Sequence, residues 1–263
     1  MRSTRRSFLL SATAASLAAQ PAEFTWPDRC RAAVSLTFDD GRTSQIDRGI
    51  PFLNKLGARA TFYLTPRGAS QRVEGWKAAH AHGHDLGHHS NSHPCTANYR
   101  FSKANALEDY TLDRMAADLD SASIELRDML GIKPVSFAYP CGQKFVGRGA
   151  NAASYIPLIA KRFRSGRGYL DEAANDPTVC DLANLMGTGF DGLDAVAMRE
   201  LLAVAIIEKR WLIFVGHDMG EAAHQSTDLR ALENLIRFAQ DATNGVWLAT
   251  VSEVSEYIAK RRG

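Results

Sequence analysis

The 263-residue sequence has no internal repeat, no low-complexity tract and no linker, which excludes a solenoid, a fibrous chain or a string of modules. It also lacks a surplus of charge. The formal net charge is +2, and it falls to −1 without Arg2, Arg5 and Arg6, which lie in an acid-free leader. No basic patch remains to hold nucleic acid or an anionic membrane surface. None of the four cysteines (Cys30, Cys95, Cys141, Cys180) stands in a CxxC, which argues against a zinc knuckle. Three disulfide pairings are open to them, and so are free buried thiols. What remains is an ordinary globular composition, long enough for one large α/β domain with a sizeable core.

The leader reads Ser3-Thr4-Arg5-Arg6-Ser7-Phe8-Leu9-Leu10, followed by a modestly apolar run through Ala19. Paired arginines, an apolar stretch too short to span a bilayer, and then small residues describe a cleavable export signal of the twin-arginine type. Ser16-Leu17-Ala18 is a fitting cleavage site. The expectation is a signal peptide over residues 1–20 and one domain over 21–263, exported to the periplasm or outside the cell and free of the membrane after cleavage. Export makes the cysteines candidates for disulfides.

Along the mature chain, short apolar runs alternate with amphipathic stretches. Strands are expected at 33–38, 60–64, 135–138, near 163, at 182–186, 211–215 and 246–249. Helices are expected at 46–56, 73–81, from about 102 to 130, and at 152–161, 195–208, 229–239 and from 252 onward, several stopped by glycine. Such alternation favours a parallel sheet or barrel.

Three polar clusters follow strands: Asp39-Asp40, His89 to His93, and His217-Asp218. In β/α barrels the C-terminal strand ends converge on one mouth. Asp-Asp-Gly alone fits a turn, and a lone histidine fits a solvated loop; jointly they describe a metal site. His89 and His93, four apart, can present two nitrogens to one ion, and Asp40 adds a carboxylate from another strand. Three protein ligands leave a position for water, the mark of a catalytic rather than a structural zinc site. Hydrolysis then needs a base, for which Asp39 stands beside a ligand, and an acid, for which His217 serves.

Thr37-Phe38-Asp39-Asp40-Gly41, His89-Ser90-x-x-His93-Pro94, Tyr139-Pro140-Cys141-Gly142 and Ile213-Phe214-Val215-Gly216-His217 resemble the ordered motifs of carbohydrate esterase family 4, the NodB-homology polysaccharide deacetylases. The resemblance implies an α/β fold, a deformed or incomplete (β/α) barrel, and hydrolysis of acetyl groups from N-acetylated or O-acetylated glycans. It implies Asp39 as base, Asp40, His89 and His93 as ligands of Zn2+ (or Co2+ or Ni2+), His217 as acid, and a carbohydrate as the partner. A backbone N–H near Tyr139 would hold the oxyanion. Two departures stand out. The family's base-orienting arginine falls at Ala138, for which Arg167 is the candidate substitute. An Asp-Trp pair that tunes the acid is absent, and Asp191 lies at about the right distance to replace its Asp. Tyr99, Phe101 and Tyr169 could stack on sugar rings.

Two other classes remain in view. A glycan-binding pseudo-enzyme would keep the pocket without an activated base. A non-haem iron oxygenase would use the same two-histidine, one-carboxylate triad, although its usual all-β scaffold conflicts with the β/α alternation.

Overall fold

The apolar run Ala32–Phe38 forms β1, and all seven of its residues are buried. Continuous burial marks a strand covered on both faces, as in parallel sheets. The computed structural model describes residues 24–263; the expected signal segment, residues 1–20, lies outside them. The further strands are Thr61–Leu64 (β2), Asp85–His88 (β3), Ser136–Ala138 (β4), Phe145–Val146 (β5), Ala153–Ser154 (β6), Ser165–Arg167 (β7), Thr188–Gly189 (β8), Trp211–Gly216 (β9), Asp218–Gly220 (β10), Ser226–Asp228 (β11) and Val246–Leu248 (β12). The α-helices are Ile50–Lys55 (α1), Pro66–Ala69 (α2), Val73–Ala81 (α3), Leu112–Leu130 (α4), Ile156–Arg162 (α5), Ala195–Ile207 (α6), Leu229–Gln240 (α7) and Val251–Arg262 (α8).

The main sheet runs β7-β4-β3-β2-β1-β9-β8, with every neighbouring pair parallel. β12 joins the first half of β1, pairing Ala32–Val34 with Val246–Leu248. The two edges meet through the chain just before β8. There Leu185 N donates to Gly166 O (2.7 Å) and Gly168 N donates to Leu185 O (2.8 Å). The result is the deformed (β/α) barrel expected from the sequence, closed by one thin seam. Helices cover its outside, and no helix among the described residues is long and apolar enough to cross a membrane.

Helix α4 shows how the sequence sets the packing. Thr111 caps it by accepting from Arg114 N, and Gly131 ends it in the left-handed conformation at φ 71°. Between them Met115, Leu119, Ala122, Leu126 and Leu130 are buried at helical spacing. Each buried leucine contributes about 2 kcal/mol by leaving water.

Several boundaries differ from the sequence reading. The chain from Arg100 to Asn105 and from Leu107 to Asp109 is 3-10 helix, so α4 begins at Leu112, not near Ser102. The strand expected near Phe163 is β7, at Ser165–Arg167. Leu182–Met186 is not a strand: Leu182–Asn184 makes a 3-10 turn, and Leu185 alone bridges to Arg167. The helix expected from 152 starts at Ile156, because Ala153–Ser154 pairs with β5. Of the three cysteine pairings, the fold takes Cys95–Cys141, and Cys30 and Cys180 are free thiols.

Candidate active site

Asp39 and Asp40 leave the C-terminal end of β1 in a sharp turn. Asp40 (φ 75°) and Gly41 (φ 68°) are both left-handed, a conformation that costs a non-glycine residue about 1–2 kcal/mol. The turn is pressed against α2. A Cβ on Gly68 would stand 1.9 Å from Asp40 O, so only glycine lets the aspartate turn sit there. Backbone pairing of Asp39 N with Gly216 O (2.9 Å) fixes the turn to β9.

The histidine loop leaves β3 in the same manner. Ser90 (φ 61°) and His93 (φ 49°) are left-handed, and Ser90 Oγ accepts from His93 N (3.1 Å). Asp118 of α4 braces the loop from below, accepting from Asn91 N (2.8 Å), Ser92 N and the Ser92 hydroxyl. His89 Nδ1 donates to Ala138 O (2.9 Å), which fixes the tautomer and turns Nε2 toward the aspartates. That Nε2 lies 3.5 Å from Asp40 Oδ1, and His93 Nε2 lies 3.4 Å from the same oxygen.

Asp40, His89 and His93 each offer one donor atom, all within 4.8 Å of one another. One carboxylate oxygen and two imidazole nitrogens suit a divalent transition metal. The protonation states suit it too. Burial and the neighbouring His89 push the His93 imidazole down to about 4 despite Asp40 and Asp39, leaving it neutral near pH 7 as a ligand must be. Burial alone would raise the Asp40 carboxyl. The hydrogen bond and charge of His89, with the charges of His93 and Arg42, instead hold it well below the usual carboxylate range. Cys95 and Cys141 also lie beside His93, but their disulfide leaves no thiolate to bind.

Asp39 is buried, and its carboxylate pairs with the fully buried guanidinium of Arg167 on β7. Arg167 Nη1 donates to Gly168 O (3.0 Å), and the guanidinium lies over the Tyr63 ring at 4.8 Å. The guanidinium beside Asp39 thus comes from β7, the sheet neighbour of the strand that carries Ala138. His217, at the end of β9, is held by Asp191: Nδ1 donates to Asp191 Oδ2 (2.6 Å), and the His217 amide donates to Oδ1 (3.2 Å). Thr227 Oγ1 donates to the same Oδ1 (2.8 Å). Burial works against protonating His217, but the Asp191 hydrogen bond and the charges of Asp39, Asp191 and Asp40 raise its pKa.

Asp39, Asp40, His89, His93 and His217 line one cavity of about 320 Å³, with Arg42, Tyr99, Phe101, Cys141, Tyr169 and Gln225. Tyr99 (44% exposed) and Phe101 (68% exposed) stack with ring centroids 5.4 Å apart on its rim. Tyr169 meets the His217 ring edge-on at 5.5 Å. Tyr139 does not fill the oxyanion role expected near it. Its amide donates to Arg167 O (3.0 Å) and its hydroxyl to Ala183 O (2.6 Å), so both donors are spent inside the barrel. Sequence reasoning missed Arg42, Gln45, Asp118 and Thr227. Gln45 Nε2 donates to both Asp39 O (2.6 Å) and His217 O (2.9 Å), clasping two strand-end loops. No local signal marks these residues, since each has a partner far away in the chain: Asp218 and Gln225 for Arg42, His217 for Gln45, Asn91 for Asp118 and Asp191 for Thr227.

The family model described as polysaccharide deacetylase matches residues 27–154. The uncharacterized protein YlxY of Bacillus subtilis (strain 168) is 28% identical over 97 residues, which are 37% of this chain and 27% of that protein. A Mycobacterium smegmatis structure whose name proposes polysaccharide deacetylase activity aligns with TM-score 0.68 at 15% identity, covering 93% of this chain and 96% of that one. A family 4 acetyl xylan esterase from Clostridium thermocellum, solved with a cobalt ion, aligns with TM-score 0.53 at 18% identity, over 86% and 91% of the two chains. At such identities the structural likenesses speak to fold alone.

Proposed function

We propose that this chain, a member of the polysaccharide deacetylase family, is a metal-dependent hydrolase that removes acetyl groups from an N-acetylated glycan. One observation carries the reading: a carboxylate paired with a buried arginine and an imidazole paired with a carboxylate share the cavity of a two-histidine, one-aspartate triad. Asp40, His89 and His93 would hold the ion, with Zn2+ first and Co2+ or Ni2+ as substitutes. When bound, such an ion polarises an acetyl carbonyl and lowers the pKa of a coordinated water.

The chain's own residues do the proton work. Asp39, oriented by Arg167, takes the proton of the attacking water. His217 carries a proton on the nitrogen turned away from Asp191 and delivers it to the departing amine. The Asp191 hydrogen bond and the nearby carboxylate charges, acting against burial, raise the pKa of His217 and so favour its holding that proton. A cavity of about 320 Å³ is at the small end of ligand sites, so a longer glycan would lie across its mouth, where Tyr99 and Phe101 offer ring faces. The Arg167–Asp39 pair weighs against a pseudo-enzyme, since it meets the need that Ala138 leaves open. The Cys95–Cys141 bond supports export to an oxidising compartment.

The test is acetate release, with products identified by mass spectrometry, from N-acetylglucosamine oligomers and acetylated xylan oligomers. Release is expected to stop on chelation and return with Zn2+. No acetate from any glycan with the metal restored sinks the reading. A pH profile adds a sharper prediction. Asp191 raises the pKa of the acid, and a general acid loses activity as pH climbs past its pKa. Asp191→Asn is therefore expected to move the alkaline limb of kcat to lower pH. An unmoved limb removes His217 from the acid role.

A further inference from the structure

Arg42 directly follows the Asp39-Asp40-Gly41 turn, and its guanidinium faces three side chains rather than one. Nε and Nη2 donate to Asp40 Oδ2 (3.0 and 2.9 Å). Nη2 also donates to Gln225 Oε1 (2.8 Å), and Nη1 donates to Asp218 Oδ2 (2.6 Å). Asp218 is fixed in turn by the Ser44 hydroxyl (2.6 Å), whose oxygen accepts from Met219 N (3.1 Å). The Asp40 carboxylate is thereby divided. Oδ1 faces the two imidazoles at 3.4–3.5 Å, while Oδ2 is held by the guanidinium fork.

We infer that Arg42 is a positioning residue that limits Asp40 to one metal-facing oxygen and ties this ligand to the loop that carries His217. The inference rests on reading Asp40, His89 and His93 as a metal site. A carboxylate with both oxygens free can chelate an ion through both, occupying a position that water or an acetyl oxygen needs. Charge-assisted bonds to Oδ2 oppose that mode and fix the rotamer of the ligand. The second half of the fork reaches the residue after His217. Ligand and acid, 177 positions apart in the chain, are therefore set relative to one another by a single planar group. Lysine, a point charge with no fork, cannot make both connections in this geometry.

The experiment titrates Co2+ into the metal-stripped full chain, reading affinity by competition with a chelator and coordination by visible absorption. Arg42→Ala is expected to weaken Co2+ binding about 10–100-fold and to change the visible spectrum. Turnover should fall through kcat more than through KM. Arg42→Lys is expected to restore neither the affinity nor the spectrum. Asp218→Asn, which loosens the far end of the fork, should shift both readouts in the same direction by less, and it decides the matter if Arg42→Ala does not fold. Wild-type affinity and a superimposable spectrum in the folded variants overturn the proposal. A wild-type chain that binds no Co2+ overturns the metal reading itself, and the role of Arg42 with it.

Discussion

Asp39→Asn is expected to lower kcat/KM at least about a hundredfold, the usual worth of a positioned general base at the lower end of its range. It is also expected to cost stability, for a reason that lies on the other side of the barrel. Arg167 is fully buried, and its charge is compensated by the Asp39 carboxylate. Removing one partner of a buried pair leaves the other uncompensated, at about 3–5 kcal/mol. Turnover must therefore be measured per folded molecule, with circular dichroism and thermal unfolding on the same preparation. His217→Ala provides the contrast. It should lose activity to a similar degree with a smaller loss of stability, because Asp191 keeps the Thr227 hydroxyl as a partner (2.8 Å). Full turnover by folded Asp39→Asn would falsify its role as base.

The second large effect belongs to Arg167 itself. Arg167→Met leaves the Asp39 carboxylate buried without its cation and should destabilise the fold by a similar amount, about 3–5 kcal/mol. Activity should drop about 10–100-fold, as when an orienting partner is lost. The double variant Asp39→Asn/Arg167→Met separates the two consequences. With both charges gone, stability should return most of the way to wild type, since apolar replacement of a buried pair is often neutral or better. Activity should stay as low as in Asp39→Asn. Denaturant unfolding of the four proteins gives the coupling directly. Additive losses in the double variant would show that the two residues do not act as a pair.

Much of this site was legible because catalytic barrels put chemistry at strand ends. Asp39, Asp40 and His217 each follow a run of buried apolar residues, β1 or β9, that only a central strand explains. β3 and β7 were harder. Asp-Leu-Gly-His and Ser-Gly-Arg carry almost no apolar pattern, since their places are set by parallel pairing with neighbours far along the chain. Leu182–Met186 misled in the opposite sense: Ala183 and Leu185 are buried, yet only Leu185 makes a bridge to a strand, and Met186 is exposed. Asp118 reads as the solvated face of a long helix until the histidine loop is laid against it. Arg42 reads as one more turn residue until Asp218 and Gln225 arrive beside it. The pairing of Cys95 with Cys141 could not be chosen from three, because spacing carries no information on which loops meet.

The seam of the barrel has a consequence for how the protein comes to be competent. Leu185, the residue that closes the ring, bonds to the backbone on either side of Arg167, and the Arg167 side chain is the group that holds Asp39. Closure of the cylinder and placement of the Asp39 carboxylate thus have one residue in common, Arg167. Under the roles proposed above, a molecule folded everywhere but at this join would lack the Arg167 contact of Asp39 even with Asp40, His89 and His93 gathered.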